Sequence, residues 1–396
     1  MKTIVYVGNF AFPNKNASGK RVLGNCLCFQ KLGFRTVCIG PGQENHEVIF
    51  NTDSYTIEIG NSIQRVIRHN IDKVIDIIRC ESKRSIICAV VIYGAIYTQS
   101  ENRLIIEWCH KHSIKVLYDQ VDWLELNWHN PFRAIIRAFN HSQMNSAIIP
   151  KCDGVICISQ YLEDYHKKQG LKTVVIPPLS SLTVIADRKA DSDELRPIKI
   201  VYAGTSSDVH RPVRQWKDRL DLVFSYFAEL QKNEKLRDFI IDIYGLSLQQ
   251  YINMFPKKDQ AKGIMVIKQL QNKVIFHGRV DNSTAVKGIQ NADFTILLRD
   301  VKRSTMAGFP TKVSESISYG TPVICNDTSD IKKYLIDREM GIVVSMDEIK
   351  GAIEEILQMS NDEIMKRKIA CADNPFQYNR FTEKFAKLFD EIGIRK

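Results

Sequence analysis

The sequence predicts an α/β fold of two doubly wound domains in series, on three observations. Short β-branched runs alternate with helical patterns along the chain, as parallel sheets with crossover helices require. The alternation breaks once, between Ile176 and Ile198, where Pro177-Pro178, Ser180-Ser181, a charged Asp187 to Arg196 stretch and Pro197 read as a linker. At 396 residues and 44% hydrophobic, the chain can bury two separate cores, whereas a single domain of this length would be unusual.

The first series of strands is Ile4–Val7, Thr36–Ile39, Ala89–Tyr93, Lys115–Tyr118, Gly154–Ile158 and Thr173–Ile176. The second is Ile198–Tyr202, Phe239–Tyr244, Val274–Phe276, Phe294–Leu298 and Val323–Cys325. Two Rossmann-like domains follow, at 1–178 and from 198 onward, joined by a linker at 179–197. A ligand is expected in the cleft they face, near the carboxyl ends of the strands.

The net charge of +10 favours an acidic partner: a nucleoside diphosphate, an anionic membrane or nucleic acid. No nucleic-acid partner is expected, because the charge is spread along the chain and no aromatic-basic recognition motif occurs. None of the ten cysteines forms a Cys-x-x-Cys pair, and Cys38, Cys88, Cys157 and Cys325 lie inside apolar strand-like runs, which points to a reducing, cytoplasmic compartment. The run Met1 to Gly8 is too short for a signal peptide and reads as a buried strand. No uninterrupted apolar run approaches the ~18 residues of a spanning helix. The expectation is a protein that is soluble or rests on the inner face of the cell membrane.

The most specific stretch runs from Phe309 to Ile324. Pro310 suits the first turn of a helix, the 312–319 run supports about two turns, Gly320 is placed to stop it, and Pro322 forbids continuation before Val323-Ile324-Cys325. One carboxylate, Glu315, is thereby held on a short capped helix. Free N–H groups at its start, near Gly308, Phe309, Pro310 and Thr311, form an anion site to which Lys312 adds a cation. Phosphate and a hydroxyl-bearing group can be gripped together.

This run resembles the sugar-nucleotide motif of the retaining glycosyltransferases of GT-B fold, family four (glycosyl transferases group 1), in the variant Pro-x-Lys-x-x-Glu-x-x-x-x-Gly-x-Pro-Val-Ile. The resemblance implies that Glu315 holds the ribose hydroxyls of a nucleoside-diphosphate sugar. The commoner pattern has a second Glu eight positions earlier, on the donor sugar; here that position is Ala307. Further parts of the chain follow the family's order. Asp153 to Ser159 and Thr173 to Pro178 look like the last strands and hinge of its first domain, Ile200 to Gly204 like the opening of its nucleotide domain, at 198–375, and 376–396 like the helix that crosses back.

Family members place an Arg or Lys on the donor diphosphate shortly after the glycine matched by Gly204, which makes Lys217 the first candidate and Arg211 the second. A fixed cation there stabilises the charge of the departing diphosphate. Asn16 to Val22, with Gly19, resembles the family's glycine-rich loop; it is neither a P-loop nor Gly-x-Gly-x-x-Gly. Asp119 and Asp122 follow the Lys115–Tyr118 strand and should open toward the cleft, where Asp122 could bind the acceptor hydroxyl or assist its deprotonation. Asp191-Ser192-Asp193 looks like a metal-binding Asp-x-Asp, but no apolar strand precedes it, and it reads as linker. No metal and no cofactor are expected. His110-Lys111-His112 reads as helix surface.

Trp128, Phe132, Ile135, Ile136 and Phe139 fall on one helical face beside Arg133 and Arg137. The segment reads as a helix packed on its own sheet, with docking on an anionic membrane as the alternative. The family resemblance implies transfer of a sugar to a glycan or lipid-linked acceptor, retaining and metal-independent, in bacterial surface polysaccharide synthesis. The rivals are a nucleotide-sugar epimerase or phosphorylase of the same fold, and a non-catalytic nucleotide-sugar-binding subunit.

Overall fold

The computed structural model describes residues 1–13, 16–58, 69–94, 99–124, 131–181, 196–205, 209–335 and 339–395; the side chains of 69, 70, 99, 131, 133 and 214 are left out of the description. The chain forms two compact units. The first comprises Met1–Ser181, Met306–Phe309 and Phe376–Lys396, and the second Leu182–Thr305 and Pro310–Pro375.

The first unit holds eight strands: β1 (Thr3–Gly8), β2 (Arg35–Pro41), β3 (Asn45–Ile49), β4 (Thr52–Ile57), β5 (Ile87–Tyr93), β6 (Lys115–Gln120), β7 (Gly154–Cys157) and β8 (Thr173–Val175). Their order is β3-β4-β2-β1-β5-β6-β7-β8, with every pairing parallel except β3 with β4. That edge hairpin is absent from the sequence reading. Its turn residues Phe50 and Asn51 both take positive φ, 50° and 54°, as two-residue hairpins demand, without the glycine that usually announces one.

Helices cover the sheet. The helix Ala17–Lys31 is capped by Asn16, whose side chain accepts from the Gly19 N–H at 2.8 Å. Its Phe29 meets Phe385 and Phe389 of the helix Thr382–Ile392 at ring-centroid distances of 4.9 and 5.4 Å. Arg21 and Asp119 are buried as a pair, at 2.7 Å, and the guanidinium also donates to the Ile176 carbonyl. The helix Pro131–Gln143 departs from expectation. Phe132, Ile135, Ile136 and Phe139 are 73, 58, 44 and 61% exposed, so this stripe does not pack on the sheet. Trp128 lies outside the described residues.

The second unit holds six parallel strands: β9 (Ile198–Ala203), β10 (Phe239–Tyr244), β11 (Val274–Gly278), β12 (Phe294–Leu297), β13 (Val323–Asn326) and β14 (Gly341–Val344), in the order β11-β10-β9-β12-β13-β14. From β9 the chain winds outward to β10 and β11; it then returns to β12 on the other side and winds to β13 and β14. The reversal falls between β9 and β12, and the crevice past their carboxyl ends is where doubly wound sheets bind ligands.

Candidate functional site

Four segments of the second unit converge on that crevice. β9 ends at Ala203 and is followed by Gly204; β12 is followed by Leu298 and Arg299; the helix Leu220–Leu230 is preceded by Lys217 and Asp218; and the helix Thr311–Ser318 begins there. Asn326, at the end of β13, pins the strand exit by exchanging two hydrogen bonds of 2.8 Å with the Arg299 backbone.

Asp218 is the hub. Its side chain is only 6% exposed, and it accepts from Arg299 Nε at 2.7 Å, from the Tyr202 hydroxyl at 2.7 Å and from Lys312 Nζ. Burial alone would raise the Asp218 carboxyl, but Lys312 and Arg299 outweigh it and hold the group well below the usual carboxylate range. Lys312 shows the opposite balance. Burial pulls its ammonium below the ordinary lysine value, Asp218 pushes back, and the positive charges of Arg299 and Lys217 add to the fall. Nζ of Lys312 also lies 4.6 Å from the centre of the Tyr202 ring.

Gly204 owes its identity to Lys312. A Cβ at 204 would stand 2.2 Å from Cε and 2.4 Å from Nζ of that lysine. Glu315 follows Lys312 by one turn. Both line a gap of about 20 Å³ between helix and sheet, with Val201, Ala203 and Thr295, which is room for one water and not for a nucleotide.

The remaining predicted residues fall in several places. Val313 N–H already bonds the Pro310 carbonyl, and among the described residues the free donors at the helix start are those of Thr311 and Lys312. Gly308 and Phe309 belong to the stretch that groups with the first unit, where the Ala307 carbonyl accepts from Ser159 Oγ at 2.5 Å. Lys217 is exposed beside the hub. Arg211 sits on a loop hung from the helix Leu248–Met254: its N–H donates to the Met254 carbonyl at 2.9 Å, and its own carbonyl accepts from Trp216 Nε1 at 3.0 Å.

In the first unit, Gly19 is fixed by packing, since a Cβ there would meet the Ala11 carbonyl oxygen at 2.1 Å. Of the two carboxylates expected to open outward, Asp119 does not. β6 continues to Gln120, and the alternation of a strand turns Asp119 inward to Arg21 and the Tyr6 hydroxyl. Asp122 lies beyond the strand and is exposed. Asp191 to Asp193 lie outside the described residues. No group of three or more His, Cys, Asp or Glu suited to a metal occurs among the described residues.

Sequence reasoning singles out neither Arg299 nor Asp218. For Arg299 a signal exists: an arginine directly after an apolar strand run sits at the carboxyl end of a sheet. Asp218, inside Lys217-Asp218-Arg219, reads as solvated surface, and only the tertiary fold buries it.

Residues 213–373 match the family described as glycosyl transferases group 1. No curated protein is similar to the chain by sequence at a significant level. Among solved structures, the chain is similar to sucrose-phosphate synthase from Thermosynechococcus elongatus (14% identity, 99% of each chain covered, TM-score 0.66). It is also similar to a glycosyltransferase from Rickettsia africae (15% identity, 100% of this chain and 99% of that, TM-score 0.64). A third is the Anabaena protein HepE, solved with UDP and glucose (13% identity, 98% and 100% covered, TM-score 0.58). The chain shares the GT-B fold of these structures, and residues 213–373 of its second unit are similar to the glycosyl transferases group 1.

Proposed function

We propose that the chain transfers a sugar from a nucleoside-diphosphate sugar to a glycan or lipid-linked acceptor, with retention and without a metal, in surface polysaccharide synthesis. The observation that carries the donor reading is the grouping of Lys312, Arg299 and Glu315 where the second sheet reverses its winding. HepE, of similar fold, was solved with UDP and glucose.

In this reading Glu315 accepts hydrogen bonds from the ribose hydroxyls. Lys312, Arg299 and the N–H groups of Thr311 and Lys312 face the diphosphate, with Lys217 and Arg211 at its margin. As the bond from sugar to phosphate breaks, electrons pass to the phosphate oxygen, and these donors stabilise the charge without reorganising. The acceptor hydroxyl attacks the anomeric carbon, and its proton leaves to the departing phosphate or to Asp122. Retention rests on the family resemblance.

The exposed apolar stripe of the helix Pro131–Gln143 supports work at a membrane surface. Its apolar residues recur at the i, i+3, i+4, i+7 spacing, and from Pro131 to Lys151 the chain carries Arg133, Arg137 and Lys151 but no carboxylate. Among the described residues no helix is long and apolar enough to cross a membrane.

Calorimetry with a panel of nucleoside-diphosphate sugars tests the donor reading. Glu315→Ala should lose about 1.5–3 kcal/mol of donor binding, the worth of a hydrogen bond to a charged group. Unchanged affinity in a folded variant removes Glu315 from the site. Product formed from donor alone, with no acceptor present, would favour an epimerase.

A further inference from the structure

Arg299 and Lys312 share one carboxylate. Their side chains are 10 and 22% exposed, and Asp218 is the one carboxylate paired with either among the described residues. Arg299 uses only Nε on Asp218; its two Nη nitrogens have no acceptor among the described residues. A guanidinium about nine-tenths buried, held by one edge with the other edge open, is a fork for a bidentate anion. Lys312 is held over Gly204 by Asp218 and Tyr202, and its position there depends on those two bonds and on the missing Cβ.

The cluster carries two positive charges and one negative, and this sets two effects against each other. Asp218 fixes both cations in one geometry, so that they need not reorganise when charge develops on a leaving group. It also neutralises part of their field, so that an anion must compete with it for Lys312. Neither effect follows from burial alone. An apolar residue in the same space would leave both cations unheld, and an exposed carboxylate would be screened by water.

We infer that Asp218 is a positioning residue that competes with the bound diphosphate: it fixes Lys312 and Arg299 for the departure of the leaving group and weakens the grip on the diphosphate before and after transfer. The inference rests on the donor reading given above for the identity of the anion, and on the structure for the competition. It has a use in turnover. A nucleoside diphosphate carries more negative charge than the sugar-bound donor it came from, so a site with both cations unopposed would hold its product hardest.

Two variants separate charge from position. Asp218→Asn keeps the shape and one acceptor for Arg299 Nε while removing the charge; Asp218→Glu keeps the charge and displaces it. Calorimetry with inorganic pyrophosphate, alongside the nucleoside diphosphate, reads the grip, and steady-state rates read the chemistry. Asp218→Asn should bind both anions roughly tenfold to a hundredfold more tightly, the effect of one unit charge at contact distance in a partly screened site, with kcat lowered at least about tenfold. Asp218→Glu should lower kcat with anion affinity within about twofold of wild type.

Unchanged or weaker pyrophosphate binding by a folded Asp218→Asn overturns the competition. An unchanged kcat in Asp218→Glu overturns the positioning, and that variant decides the matter if Asp218→Asn does not fold. Tighter pyrophosphate binding in a chain that binds no nucleoside-diphosphate sugar would keep the competition and overturn the donor reading instead.

Discussion

Gly204 is a glycine for the sake of another residue's side chain, since no positive φ is recorded for it. The atoms a Cβ would strike are the far end of a lysine, which can swing away at little cost in stability. Gly204→Ala should therefore shift Tm by no more than about 2 °C, yet lower turnover at least about tenfold by evicting Lys312. Thermal melts beside initial rates check this. A large loss of stability with proportional loss of rate would show that the glycine serves packing.

His166 supplies a pH dependence in the first unit. It is fully buried, its Nε2 faces the Gln120 side-chain carbonyl, and its Nδ1 has no partner among the described residues. Burial pushes the imidazole down from 6.5 to about 4, so the native state refuses a proton that the unfolded chain accepts. Above pH 6.5 the group is neutral in both states and stability is at its full value. As pH falls from 6.5 toward 4, about 3 kcal/mol is lost, and below 4 the loss levels off. Unfolding midpoints across that range should fall less steeply in His166→Gln; parallel slopes would mean that His166 charges in the folded state.

At this scale the sequence is uneven. Glu315 and Lys312 stand out because loop, cap and strand around them agree. Asp218 and Asp119 do not, because whether a carboxylate in a mixed-charge or strand-end run is solvated or buried depends on which helix packs over it.

Elements were more legible than residues where burial is two-sided. Each predicted strand has an observed counterpart within two residues at either end, because strands covered on both faces read as continuous apolar runs. The missed strands are the two edges β3 and β14, and β4, which carries the β3 edge. β3 is mostly exposed, and β4 and β14 mix buried with half-buried residues, so their apolar signal is diluted.

The helix Pro131–Gln143 was misjudged for the opposite reason: an apolar stripe looks the same from the sequence whether a sheet or a lipid surface covers it. If a bilayer does, Ile135→Ser/Phe139→Ser should weaken co-sedimentation with anionic vesicles roughly tenfold or more, at about 1.5–3 kcal/mol for each large apolar side chain fully withdrawn from water. Its melting point should be unchanged. Binding should also fall with added salt and be absent on neutral lipid. Indifference of the wild type to anionic vesicles would leave the stripe without this role.

The molecule as a whole is not threaded as two beads on a string. The first unit is assembled from residues on both sides of the second: Phe385, Leu388, Phe389 and Ile392, all buried, close over Phe29 and Phe34 of the amino-terminal segment. The sequence points to this only through the family resemblance of 376–396, since no local pattern says which core an amphipathic helix joins. Removing residues 382–392 should strip this core of four buried apolar side chains, worth roughly 1.5–3 kcal/mol each, a sum comparable to the stability of a whole domain. Limited proteolysis should then degrade the 1–181 region while a fragment containing 213–373 persists. Survival of both regions would show that the helix is dispensable.

The same closure sets a timetable for biosynthesis. Residues 1–181 leave the ribosome first but lack the side chains that cover Phe29 and Phe34 until the last helix has been made, so the domain begun first is finished after the one that interrupts it. At 5–20 residues per second the intervening stretch takes roughly 10–40 s to emerge. A nascent chain halted anywhere in it leaves the apolar surface around Phe29 and Phe34 uncovered.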